Sequence, residues 1–221
     1  MSSPPPRRAR FSRLRGAVDR VPTRWFAGVA TGLFLAVSAA FGGLATVASE
    51  PDAVAASGDR VAGSPFAVTI DRAILIDALP ELSLEPERSG DRLLAVVLTA
   101  ENTTLDPLTS GEEYGLTGGI QLDGVPELAA VAGRAVYRWD DSTESPLFQP
   151  GVPAEVAVFW DVPSEVLDAG ALADGGELTV RVIDRQLIDT TLYDGGRWEP
   201  TGTATRVTVP IRDVGAGTAP G

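Results

Sequence analysis

Downstream of residue 65 the chain alternates apolar and polar side chains with a period of two, the repeat that sends neighbouring residues to opposite faces of a β-strand. Phe66, Val68, Ile70, Ile74 and Ile76 are read as one such face, interrupted at Arg72. Leu94, Val96, Leu98 and Ala100 make a second, and Val156, Val158, Trp160 and Val162 a third, with Glu155 and Asp161 opposite. Leu178, Val180 and Val182 alternate with Glu177, Thr179 and Arg181. Val207, Val209 and Ile211 alternate with Arg206 and Thr208, and Ala135, Tyr137 and Trp139 with Arg134 and Arg138. Turn formers separate the runs: Ser89-Gly90, Gly118-Gly119, Pro150-Gly151, Gly175-Gly176 and Gly195-Gly196. Ser164 to Leu172 reads as a short helix, with Ser164 as cap and Glu165 in the first turn. Six or more half-buried strands at this spacing predict an all-β fold, an immunoglobulin-like antiparallel β-sandwich in the broad sense.

The beginning of the chain has a different pattern. Trp25 to Ala48 is a run of 24 residues without a charge, and about 20 apolar residues suffice to cross a bilayer core as a helix. Residues 1–24 hold seven arginines against Asp19, a local net of +6. The remaining residues hold 11 arginines against 29 acids, a net of −18. Positive charge before the run and acid after it place the N-terminus in the cytoplasm and the rest outside. The expected organisation is an Arg-rich cytoplasmic stub over 1–24, a transmembrane helix over 25–48 contacting membrane lipid, and a linker over 49–64. A β-sandwich over 65–212 and a disordered tail over 213–221 follow. The linker reading rests on the aperiodic Ala, Gly, Ser and Pro between Glu50 and Ser64. A cleaved signal peptide is the competing reading, with Ala53-Val54-Ala55 as a small-residue site, although the apolar run exceeds the usual length of about 7–15 residues.

Composition removes several chemistries. The 221 residues include no His and no Cys, so thiolate or imidazole metal sites, His-dependent nucleophile systems and disulfides are excluded. A formal net charge of −12 argues against nucleic acid as a partner.

Three short segments carry a resemblance. Leu94 to Thr104 reads as a strand running into Ala100-Glu101-Asn102-Thr103; Pro150-Gly151-Val152-Pro153 leads into Ala154 to Trp160; and Asp161-Val162-Pro163 ends that strand. In this order they resemble the immunoglobulin-like domains of unknown function on exported, membrane-anchored or lipoprotein-type proteins of Gram-positive bacteria. The resemblance covers residues 65–185, leaves Leu187 to Thr208 as an added terminal hairpin, and implies display outside the membrane with protein or envelope contact. It supplies no catalytic residues.

Candidate chemistry is sparse. Asp140, Asp141 and Glu144 follow Trp139 and offer hard oxygen ligands of the kind that hold calcium, but they lack the glycine and spacing of a recognised loop, and the expectation is a solvated turn with no cofactor and no metal. Asn102-Thr103-Thr104 matches a glycosylation acceptor. Trp160 is assigned to the core, and Trp198, beside Gly195-Gly196-Arg197, is a candidate partner contact. Gly28, Gly32, Ala36 and Ala40 recur every fourth residue along one helix face, the arrangement that permits close helix packing or weak homo-association in lipid. The expected function is a non-catalytic binding or scaffold module of the bacterial cell envelope, anchored in the cell membrane and engaging an unidentified envelope or membrane protein. A carboxylate-only envelope hydrolase, or a secreted domain released by signal cleavage, is the alternative.

Overall fold

The computed structural model describes residues 23–40, 51–63, 65–111, 115–129, 131–170, 172–189 and 197–215. The chain divides into two units, Met1–Ala48 and Ser49–Gly221.

In the first unit, α1 spans Thr23–Ala40. Val29, Leu33, Phe34, Leu35 and Val37 are all exposed on it. Among the described residues no helix is long and apolar enough to cross a membrane. The expected span over 25–48 is described only as far as Ala40, and the stub expected over 1–24 lies outside the described residues apart from the start of α1.

Among its described residues the second unit holds nine strands: β1 (Ala53–Ala56), β2 (Arg60–Ala62), β3 (Phe66–Ile76), β4 (Arg92–Asn102), β5 (Ile120–Asp123), β6 (Ala135–Arg138), β7 (Pro153–Val162), β8 (Glu177–Ile188) and β9 (Arg197–Gly215). A five-residue helix, α2 (Ser164–Asp168), follows β7. The strands run in the order β5-β8-β9-β3-β4-β7-β6, with β1 added to β9 and β2 to β3. One layer holds β1, β5, β8 and β9; the other holds β2, β3, β4, β6 and β7. Ile70, Leu98, Val158 and Trp160 of one layer share a core with Leu122, Val180, Val207 and Val209 of the other. The arrangement is a β-sandwich, and burial of these apolar side chains between the layers is its principal driving force. It is not wholly antiparallel: β1 pairs with β9 in parallel, and β3 meets the C-terminal stretch of β9 in parallel.

Five readings of the sequence need correction. The register of β3 against β4 slips between Ile70 and Arg72. The extra residue, Asp71, reverses the alternation, because a one-residue slip moves every following side chain to the other face. Ala73 and Leu75 therefore join the inter-sheet core. Ile74 and Ile76 instead face a second apolar cluster on the outer side of that layer, with Leu93, Val97, Phe159 and Leu84. The same cluster takes Ala135 and Tyr137, while Val136 points into the main core. Tyr137 meets Phe159 edge-on at 5.8 Å, and Trp139, expected on the same face, is left 47% exposed.

The segment read as linker contains β1 and β2, so the folded unit extends upstream of Pro65. A four-residue strand of Ala and Val carries too weak a pattern to register, and its partner is a stretch of β9 about 150 residues away. At the other end the expected tail from residue 213 is folded as far as Gly215, because Asp213 and Gly215 pair with Leu75 and Ile76 of β3. Residues 216–221 lie outside the described residues. Finally, α2 ends at Asp168, and its first turn is capped by Asp91, whose Oδ1 accepts from the Ser164 N–H at 3.1 Å, rather than by Ser164 itself.

Candidate functional site

The strand directions give the sandwich two distinct ends. At one lie the start of β3, the end of β4, the start of β7, the end of β8 and the start of β9. Gly63, Phe66, Val182, Ile183 and Arg185 meet there around a cavity of about 20 Å³. That is room for about one water and no organic ligand. Phe66 packs edge-on against Phe148, centroids 5.1 Å apart.

Beyond this junction β8 and β9 continue as an arm that pairs Arg185 with Pro200, Gln186 with Glu199, Leu187 with Trp198 and Ile188 with Arg197. The arm is set off from the sheet by a bulge after Ile183, where β9 passes through Gly202 at φ +90°. That left-handed conformation is open to glycine at little steric cost. Thr201 Oγ1 donates to the Asp184 carbonyl at 3.2 Å across the bulge. Arg185, 8% exposed, anchors the base by donating from Nη2 to the Gly118 carbonyl, and burial lowers its pKa. Trp198 therefore stands second in β9, half-buried, across from a Leu187 that is 54% exposed.

The connections at the same end are organised by Asn102, which is fully buried. Its Nδ2 donates to the carbonyls of Asp106 (2.7 Å) and Phe148 (3.0 Å), and its Oδ1 accepts from the Thr104 N–H (2.9 Å) and hydroxyl (2.8 Å). With its amide so committed, Asn102 is not an exposed acceptor for a glycan. The Asn102 carbonyl also receives the Gly151 N–H at 2.8 Å, tying in the Pro150-Gly151 turn. These contacts hold out Leu105 at 94% exposure, with Leu147 and Val152 also exposed on the neighbouring connection.

The opposite end is acidic. Asp77, Glu85, Glu87 and Asp91 line a shallow, open hollow of about 350 Å³ with Arg88. Next to Asp91, Arg92 holds its Nε 2.6 Å from Asp77 and both Nη atoms on Asp213.

On the outer face of the other layer, Asp52 sits between two arginines. Its Oδ2 accepts from Arg181 Nε at 2.9 Å and Arg206 Nε at 3.0 Å. The Arg181 bond, with Arg206 adding to it, holds the Asp52 carboxyl below its ordinary range.

The remaining sequence candidates are placed as follows. Asp140 and Asp141 lie 3.6 and 3.8 Å from Arg138, and Asp141 Oδ1 accepts from the Thr143 N–H at 3.0 Å. Hydrogen bonds from Thr143 lower the Asp141 pKa. Glu144 bridges to Tyr137 through the backbone. The turn is thus closed by its own partners, and among the described residues no group of three or more ligand-type side chains is placed to hold a metal ion. Arg72 lies over the Trp139 ring at 5.2 Å. Trp160 is fully buried and donates from Nε1 to the Val131 carbonyl at 3.0 Å. On α1, Gly28, Gly32 and Ala36 are exposed, and a Cβ added at Gly28 or Gly32 would meet nothing within 4 Å. Ala40 closes the helix. Asp52 and Leu105 escaped the sequence reading, since an acid in an aperiodic segment and a lone loop leucine show no role until their partners are in place, and Asn102 was read there as a glycan acceptor and not as the buried centre of a turn.

No protein-family model matches the chain, and no curated protein matches it. Among solved structures, an uncharacterised β-sandwich protein from Clostridium difficile 630 aligns at 11% identity over 74% of this chain and 97% of its own, with a TM-score of 0.46. A protein of Bacillus subtilis subsp. subtilis str. 168 named as a putative lipoprotein aligns at 10% identity over 73% of this chain, with a TM-score of 0.34; the match takes in 39% of that protein.

Proposed function

We propose that the chain is a single-pass, membrane-anchored β-sandwich displayed outside the cytoplasm as a non-catalytic binding or scaffold module of the bacterial cell envelope. The observation that carries this is the sequence of charge and apolarity. Seven arginines precede Trp25, no charge follows until Glu50, and the acids dominate thereafter. Positive charge is retained on the cytoplasmic side of an apolar helix, and α1 supplies the start of that helix, with Val29, Leu33, Phe34, Leu35 and Val37 exposed. The binding role is supported by where the sandwich leaves apolar surface uncovered, at the Trp198 arm and its neighbouring connections, while its carboxylates at Asp52, Asp141 and Asp213 are engaged by arginines or backbone.

Protease added to wall-stripped cells is expected to digest the chain from residue 50 onward and to spare the Arg-rich stub. Digestion of the stub with the acidic unit protected would reverse the topology, and recovery of the acidic unit in the medium would show release by cleavage.

The open Gly28 and Gly32 positions also support close packing of the anchor against a second helix, its own copy or another protein's. In a transmembrane association reporter carrying residues 25–48, Gly32→Ile is then expected to reduce the signal. An unchanged signal removes this pairing.

A further inference from the structure

We propose that the chain cuts its own backbone between Asp106 and Pro107, with the Asp106 carboxylate as nucleophile and Asn102 and Thr104 as the donors that hold the developing oxyanion. The reaction is a single event within the chain, not turnover on a substrate, and it stands apart from the anchored reading above.

The bond itself is predisposed. Asp106-Pro107 is the only Asp-Pro pair in the sequence. An aspartyl side chain closes a five-membered ring on its own carbonyl carbon, and well-oriented closures of this kind carry large effective molarities. The amide to proline is tertiary, so its nitrogen is a more basic leaving group than that of an ordinary peptide. Both residues are exposed, which gives water access to the bond.

The fold adds an oxyanion site. The Asp106 carbonyl accepts from Asn102 Nδ2 at 2.7 Å and lies 2.9 Å from the Thr104 hydroxyl. That hydroxyl is also 2.8 Å from Asn102 Oδ1, and its single proton serves one acceptor at a time. As negative charge gathers on the Asp106 oxygen the proton turns toward it, so a bond shared in the ground state is committed in the transition state. Contacts that strengthen in this way are the ones that accelerate a step. The donors are held in place on both sides of the bond. Asn102 is fully buried and gives its second amide proton to the Phe148 carbonyl at 3.0 Å, and Leu108 exchanges backbone bonds of 3.0 and 2.8 Å with Phe148.

The steps balance. A carboxylate oxygen of Asp106 bonds to its own backbone carbonyl carbon, and the carbonyl electron pair passes to the oxygen held by Asn102 and Thr104. That pair returns as the carbon–nitrogen bond breaks, and the Pro107 nitrogen takes a proton from solvent. An aspartyl anhydride and a secondary amine result. Water then opens the anhydride, leaving Asp106 with two carboxylates and returning the protons that the amine takes up. One water is consumed in all. β4 pairs with β7 and β3 with β9 across the cut, so the pieces 1–106 and 107–221 stay in one sandwich and part only on denaturation.

The test compares the full chain, folded in detergent, with the same chain in guanidinium chloride, both in one mildly acidic buffer. Intact masses of the two pieces, read after denaturation, give the rate. The expected result is cleavage at this bond roughly tenfold faster in the folded chain, since a donor bonds an oxyanion more strongly than a neutral carbonyl. Thr104→Val is expected to lose about that factor while melting like the native chain, and Thr104→Ser to restore it. Asp106→Ala, a change at an exposed side chain, should stay whole. Cleavage no faster in the folded chain than in the denatured one is the ordinary lability of an Asp-Pro bond and overturns the proposal, as does a folded chain that is never cut. A folded Thr104→Val cut at the native rate, or a cut at the same bond in Asp106→Ala, also overturns it.

Discussion

Arg92 on β4 and Asp213 on β9 form a two-pronged ion pair, with Nη1 and Nη2 at 2.7 and 2.6 Å from the two carboxylate oxygens. The pair joins strands that are not neighbours, since β3 lies between them, and Arg92 Nε reaches Asp77 just beyond the end of β3 at 2.6 Å. Asp213 also accepts from the Gly215 N–H at 2.8 Å, so its carboxylate organises the last turn of described chain.

The first prediction follows from that geometry. The Arg92 hydrogen bonds hold the Asp213 carboxyl down to about 2, from an ordinary value of 3.8. A depressed carboxyl stabilises the fold at pH values above its unfolded titration and loses that contribution as pH falls through the folded one. Asp213→Asn is therefore expected to lower stability at neutral pH by roughly 1 kcal/mol, a figure kept small because the pair is partly solvated. The difference from the native chain should shrink between pH 4 and pH 2. Urea titrations across this range check it, and a penalty that persists unchanged at pH 2 refutes the linkage.

The second prediction concerns Trp160, which is 0% exposed between the layers and bonded to the Val131 carbonyl. Trp160→Ala should cost about 3–5 kcal/mol in chemical denaturation, the range for emptying an aromatic site in a packed core. Trp160→Phe, which keeps much of the volume but leaves Val131 without its donor, should fall between. A loss of less than about 1 kcal/mol for the alanine variant would mean that the site is not packed as described.

The faces of β8 and the body of β9 were legible because apolar and polar residues alternate there, as in Leu178, Val180 and Val182 against Glu177, Thr179 and Arg181, whereas β7 also buries Ala157 and Phe159 on the face opposite Val156 and Val158. On β4 the alternation predicted only half of the answer. Leu94, Val96 and Leu98 face the main core, while Leu93, Ala95 and Val97 are buried on the other side. The near-continuous apolar run Leu93 to Leu98 is the sequence mark of a strand covered on both faces. The bulge at Asp71 has no comparable mark, since an extra residue is set by pairing with β4 and not by local propensity. Trp198 was singled out from its position beside a turn, but its contact with Leu187 depends on the register of a hairpin whose strands are offset by a bulge.

Asn102 supports the third prediction. Four hydrogen bonds of 2.7–3.0 Å converge on a side chain with no exposed surface. Asn102→Ala leaves two carbonyls and one backbone N–H without this partner and should cost roughly 2–4 kcal/mol, more than a surface amide would. Asn102→Asp keeps the acceptor for Thr104 but sets a carboxylate oxygen against the carbonyls of Asp106 and Phe148, so it should not rescue. Hydrogen exchange is expected to rise across residues 103–108 in both variants. Stability equal to the native chain in either one would show that the connection is held by its backbone pairing with Phe148 alone.

The fourth prediction tests how the upstream chain is held to the sandwich. β1 contributes a four-residue parallel ladder to β9, and its side chains bury little, so the ladder gains slight support from packing. Asp52 supplies what packing does not, by bonding at once to Arg181 on β8 and Arg206 on β9. In Asp52→Ala, hydrogen exchange of the β1 amides should accelerate while Leu178 to Val182, in the interior of β8, keep their protection. Acid should reproduce the substitution in the native chain. The carboxyl is held below 3.8 by its arginines, so protection of β1 persists down to that value and is lost as pH drops beneath it. Unchanged exchange in Asp52→Ala at neutral pH would leave the ladder to stand by itself, and the arginine pair would then be a solvated surface feature with no part in fixing where the chain joins the sheet.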